Sequence, residues 1–145
     1  MGHLLDLVQR YYDACNTADT DALEAAFTDD AAHYFTRLPA VHGGARIASL
    51  WAAQQQRLGA RWTVEHGIES GNEAVIEWTM TWTDPASGTR RIDRGTEWYL
   101  FSGDRIAEIR AYHHSDAANR SGDLVGFDHA GRGDTMPGRG RAAAG

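Results

Sequence analysis

Trp62-Thr63-Val64-Glu65-His66-Gly67-Ile68 and Ile76-Glu77-Trp78-Thr79-Met80-Thr81-Trp82-Thr83 are the two stretches whose reading decides the fold. In both, apolar side chains alternate with polar ones at a period of two, as in a strand with one buried and one wet face. Turn-forming residues bracket them: Ser70-Gly71-Asn72, Asp84-Pro85-Ala86-Ser87-Gly88 and Ser102-Gly103-Asp104. Alternation and turns together predict an antiparallel meander of strands over about 61–69, 73–83, 89–101 and 104–114.

Upstream the period lengthens. Leu4, Leu5, Val8, Tyr11, Tyr12 and Cys15 recur at three- and four-residue steps, which predicts an amphipathic helix. Polar residues from Asn16 to Asp21 supply caps, and a second helix is expected from Ala22 to Phe27. A short strand is expected over Ala31 to Phe35, then a loop through Pro39 and Gly43-Gly44. A third helix carries Ile47, Leu50, Trp51 and Leu58 and closes at Gly59. Helices ahead of a meander are an α+β order, not a βαβ one. Beyond Asp116 the composition turns to Gly, Arg, Asp and Ala. The expectation is one domain over 1–118 and a Gly/Arg-rich tail over 119–145, disordered from Pro137, with Leu124 to Phe127 able to pack back on the domain.

The bulk numbers exclude several classes of function. A length of 145 residues with 42% hydrophobic and 23% charged residues suits one soluble domain with a real core. A net charge of −6 argues against binding nucleic acid, which needs a basic surface. All 14 basic residues are Arg, which reads as a compositional bias of the genome. A single cysteine, Cys15, excludes an internal disulfide framework. No apolar run spans a bilayer and no basic leader precedes an apolar one, so a cytoplasmic protein with no membrane partner is expected. There is no H-x-H or H-E-x-x-H pattern, so neither a metal nor another cofactor is expected.

Strand parity selects the candidate site. On 61–69, His66 shares the face of Trp62, Val64 and Ile68. On 73–83, Ile76, Trp78, Met80 and Trp82 share the inner face, and on 104–114 His113 follows Ile109 and Ala111 while Tyr112 and His114 point away. On 89–101, Asp93, Gly95, Glu97, Tyr99 and Phe101 share one face, but parity alone does not say whether it is the inner one. The tryptophans on the inner face imply a flat or apolar ligand.

The phrases Ala18-Asp19-Thr20-Asp21-Ala22-Leu23, Phe27-Thr28-Asp29-Asp30-Ala31, His42-Gly43 opening a helix, and Gly103-Asp104-Arg105-Ile106-Ala107-Glu108-Ile109-Arg110-Ala111-Tyr112 stand in an order that resembles the NTF2-like superfamily, in its SnoaL-like and ketosteroid-isomerase-like branch. The likeness covers about residues 5–114. It implies a cone in which three N-terminal helices pack on a strongly bent, mostly antiparallel sheet, a deep pocket, and a homodimer. Members include isomerases, polyketide cyclases, dehydratases, an epoxide hydrolase and proteins that only bind, so the fold does not fix the activity.

The resemblance places Tyr11 on the isomerase's first-helix tyrosine and Glu97 on its oxyanion-hole acid. Phe35 stands where that enzyme has its base aspartate, with His33 on the same strand face. His66 is similar to a catalytic histidine of scytalone dehydratase. Arg91-Ile92-Asp93 looks like part of the epoxide-hydrolase triad, but one strand too late, and Ala111 replaces its second aspartate. The expected catalytic set is therefore His66, Glu97, His113, Asp93 and Tyr11. His33, Phe35, Trp51, Trp62, Trp78, Met80 and Tyr99 are the expected ligand contacts. The expected function is cofactor-independent acid/base chemistry on a small hydrophobic cyclic or polyketide-like molecule, as an isomerase, cyclase or dehydratase. Non-catalytic binding in the same pocket is the alternative.

Overall fold

The computed structural model describes residues 2–113 and 123–136. Helix α1 spans His3–Asn16, α2 Thr20–Ala25 and α3 Gly44–Leu58; the strands are β1 Phe27–Phe35, β2 Val41–His42, β3 Arg61–Ser70, β4 Glu73–Thr83, β5 Arg90–Ser102 and β6 Arg105–His113. They form one bent, unclosed sheet in the order β2-β1-β6-β5-β4-β3. Every neighbouring pair is antiparallel except β1–β6, which is parallel. The α+β cone is as expected, with two differences near its start. Phe27 opens a nine-residue strand instead of closing α2, and Val41-His42 forms a short edge strand where a loop was expected.

Local chemistry fixes the helix ends. The Asp19 carboxylate accepts from Ala22 N at 3.1 Å and caps α2. Helix α1 has no capping side chain of its own at Gly2; the Glu69 carboxylate of β3 accepts from Leu5 N at 2.8 Å instead. At its other end, Asn16 brackets Trp62, donating to its carbonyl at 2.8 Å and accepting from its N–H at 2.7 Å. Both ends of α1 are thus pinned to β3. Gly59 closes α3 in the left-handed region, at φ 58°.

The core lies between the helices and the concave face. Val8, Leu23, Phe27, Ile47, Ile76, Tyr99, Ile106 and Ile109 are fully buried there. Burying each of the aliphatic ones contributes about 1.5–3 kcal/mol.

Parity holds on three strands and fails on one. On β4 and β6 the expected residues face inward, and on β5 the inward set proves to be Asp93, Gly95, Glu97, Tyr99 and Phe101. On β3 the pairing with β4 slips between Val64 and His66, a β-bulge that inserts Glu65 as an extra residue. Downstream of it the two faces exchange. His66 pairs with outward Glu77 and leaves 54% of its side chain exposed, and Ile68 is 73% exposed. Gly67 takes the inward position, where a Cβ would sit 2.7 Å from Leu5 Cδ2. The bulge therefore trades a histidine in the pocket for close approach of α1 to the sheet.

Residues 123–136 lie against the outer face of β3, β4 and β5. Arg94 pairs with Asp123 and donates to the Thr135 carbonyl at 2.8 Å. Glu65 accepts from Thr79 Oγ1 at 2.8 Å and from Thr135 N at 3.1 Å. Asp134 meets His129 Nδ1 at 2.8 Å and His66 Nε2 at 3.5 Å. Leu124 and Val125, expected to pack back, are exposed. This segment docks through charge and hydrogen bonds instead. The expected domain boundary at 118/119, His114 and Pro137 to Gly145 lie outside the described residues.

Candidate active site

The helices and the concave sheet enclose a cavity of about 390 Å³. The register of β4, β5 and β6 lays its sheet wall in rows: Ile76, Glu97 and Ala111; then Trp78, Gly95 and His113; then Met80 and Asp93. Gly95 is what the middle row requires. A Cβ there would lie 2.6 Å from the Trp78 ring and 2.7 Å from His113 Cβ. Without it, the Trp78 indole and the His113 imidazole meet at 5.3 Å between centroids. The opposite wall comes from α1 and α3, through Tyr11, Tyr12, Leu50 and Trp51. Trp51 meets Trp62 edge-on at 5.7 Å.

At the floor, Glu97 is buried and organised by tyrosines. Tyr12 and Tyr99 both donate their hydroxyls to its Oε1, Tyr99 at 2.9 Å. The second oxygen, Oε2, lies 3.5 Å from His33 Nε2. His33 has no solvent exposure, stacks on Phe35 at 4.3 Å, and neither ring nitrogen has a hydrogen-bond partner among the described residues. Burial and the nearby Glu97 charge push both phenols well above the ordinary tyrosine range, so they act as donors. Nearer the mouth, Asp93 and His113 share the inner face, diagonal to each other across the gap left by Gly95. Burial pushes the Asp93 carboxyl upward, against the opposing influence of the His113 imidazole, the Trp82 indole and Arg91.

Most of the expected site residues converge here. Glu97, Asp93, His113, Tyr11, His33, Phe35, Trp51, Trp62, Trp78 and Met80 all line the cavity. Three expectations change. His66 is on the outer face, turned there by the bulge at Glu65. The α1 hydroxyl on Glu97 belongs to Tyr12, not Tyr11; consecutive helical residues diverge by about 100°, and Tyr11 is turned to Phe27 and Cys15. Tyr99 sits behind the wall, holding Glu97. Sequence reasoning missed Tyr12 as a site residue; its burial stripe was visible, but two adjacent tyrosines satisfied the stripe equally. Cys15 also lines the cavity, and burial pushes its thiol far up, which suits packing and not nucleophilic attack.

Comparison with known proteins gives one family. Residues 8–109 match the model described as a SnoaL-like domain. Among solved structures, a cystatin-like-fold protein of unknown function from Methylobium petroleophilum PM1 is 33% identical, with a TM-score of 0.69 over 97% of this chain and 96% of that one. A candidate SnoaL-like polyketide cyclase from Jannaschia sp. CCS1 is 16% identical, covering 76% of this chain and 84% of that one with a TM-score of 0.67. An epoxide hydrolase of M. tuberculosis, described as LEH-like, is 22% identical over 76% of this chain and 81% of that one, also with a TM-score of 0.67. No curated protein matches. Among the described residues no helix is long and apolar enough to cross a membrane.

Proposed function

Because the chain belongs to the SnoaL-like domain family, we propose that it is an acid/base enzyme acting, without a cofactor, on a small and largely apolar cyclic molecule held in the cone. The observation that carries this reading is the Asp93–His113 pair in an apolar-walled cavity. A carboxylate made more basic by burial is a better proton acceptor near neutrality than an ordinary aspartate. Asp93 takes a proton from a carbon next to a carbonyl. The C–H electrons form the enolate, and a His113 N–H supports its oxygen. The proton returns to another carbon in an isomerisation; in a cyclisation the enolate carbon attacks a second carbonyl whose oxygen takes the proton from Asp93, and in a dehydration the β-hydroxyl takes that proton and leaves as water. Glu97, with Tyr12, Tyr99 and His33, supplies the polar floor that orients the ring.

Deuterium uptake tests this without the natural substrate. Cyclic ketones such as 2-tetralone are incubated with the protein in D2O, and exchange next to the carbonyl is followed by mass spectrometry. The expected result is exchange above the buffer rate, falling about 100-fold or more in Asp93→Asn. Ketones that bind by tryptophan quenching but exchange no faster than in buffer would overturn catalysis. Non-catalytic binding, favoured by Phe35 at the position of the isomerase's base, would then be the function. The exposed aromatic face of β1, β6 and β5, carrying Tyr34, Tyr112 and Trp98, supports a homodimer. Light scattering at about 32 kDa, twice 15.9 kDa, is expected; 16 kDa would exclude it.

A further inference from the structure

The cavity wall is chemically lopsided. Among the described residues no arginine lines it, and the chain has no lysine, yet two carboxylates do. Arg91, the guanidinium that acts on Asp93, is engaged by Asp84 through Nε at 3.1 Å and Nη2 at 2.9 Å. The only other titratable groups on the wall that can carry positive charge are His33 and His113. With both imidazoles protonated the four groups sum to zero, and with both neutral they sum to minus two. With both carboxylates ionised, the wall formed by the described residues therefore carries no net positive charge. A permanently anionic ligand would meet carboxylates there as well as imidazoles, and its desolvation would be poorly compensated.

The apolar part of the wall points the same way. Trp51, Trp62, Trp78 and Phe35 line the space and meet neighbouring rings in tilted and edge-to-face arrangements. Such walls attract a cation through their quadrupoles. At Asp93 burial outweighs the opposing influence of His113, the Trp82 indole and Arg91, so a cation placed beside that carboxylate would be favoured. His33 is fully buried, makes no hydrogen bond among the described residues, and has the Glu97 carboxylate 3.5 Å from its Nε2.

We propose that the cavity selects a small organic cation, a protonated amine or quaternary ammonium group on an apolar ring body, with the positive end at Asp93. This rests on the cavity being the ligand site, as in the preceding reading, and not on catalysis there. Three probes of one skeleton at pH 7.5 separate the charge from the body: 2-aminotetralin, 2-tetralol and tetralin-2-carboxylate, titrated against tryptophan fluorescence. The amine is expected to bind at least tenfold more tightly than the alcohol, and the carboxylate most weakly. In Asp93→Asn the preference for the amine over the alcohol should fall to threefold or less. Equal affinities for amine and alcohol, or tighter binding of the carboxylate, would overturn the proposal. Deuterium exchange of 2-tetralone is independent of this outcome. Exchange without charge preference removes only the cation proposal, and preference without exchange removes only catalysis.

Discussion

The two faces of the sheet carry similar polar residues and treat them in opposite ways. On the outer face, Glu65, Thr79 and Arg94 form a row across β3, β4 and β5, and residues 123–136 bring Asp123, Asp134 and Thr135 to meet it. Each charged side chain of that row finds a partner of matching chemistry. On the inner face, Asp93 is held above its ordinary range by burial, and His33 has no hydrogen-bond partner among the described residues. Polar groups that satisfy one another hold a structure together. Polar groups left wanting, in a cavity open enough to admit a molecule, are where chemistry is kept ready.

Breaking the outer row should cost the most stability. Arg94→Met removes a guanidinium buried beneath the segment, together with its bonds to Asp123 and the Thr135 carbonyl. A loss of about 2 kcal/mol in urea denaturation is expected, below the 3–5 kcal/mol of a fully buried pair because Asp123 is partly exposed. Amide exchange should speed up over 123–136. Tyr12→Phe leaves Glu97 Oε1 with Tyr99 as its hydroxyl donor, at a cost of about 1 kcal/mol.

The inner face should respond with the opposite sign. A carboxyl raised by burial binds its proton more tightly folded than unfolded, so ionised Asp93 lowers stability once the pH passes above its unfolded value. Asp93→Asn should therefore raise Tm at pH 7, and the gain should vanish below about pH 3.9, where the unfolded carboxyl is also protonated. An unchanged or lowered Tm at pH 7 would show that Asp93 is already compensated. The smallest effect belongs to Ile68→Thr. On the outer face, where the bulge puts it, the change should alter stability by no more than about 0.5 kcal/mol, whereas an inward Ile68 would cost several-fold more.

Much of this was legible in the sequence because period and parity are local properties. Three helices, the meander and the inward residues of β4 and β6 follow from spacing alone. His66 was misplaced because parity counts residues, and a bulge adds one without changing the pattern of letters. Two signs were present: charged Glu65, which has its partners on the outer face, and Gly67, which would be an odd choice for an outward strand position. The docking of 123–136 was hidden for another reason. It uses an ion pair across 29 residues of chain and a hydrogen bond across 41, which leave no periodic trace. The Glu97 cluster needed the handedness of α1 against the sheet to distinguish Tyr12 from Tyr11.

An open sheet has two rims, each a row of amide groups that another chain could pair with. Here one rim is the two-residue β2, too brief to template a neighbour, and the other is β3, kinked in its middle by the extra Glu65. Short and bulged borders are recognised guards against edge-to-edge aggregation. The insertion that expels an imidazole from the pocket thus also interrupts the row of amides that a neighbouring strand would pair with.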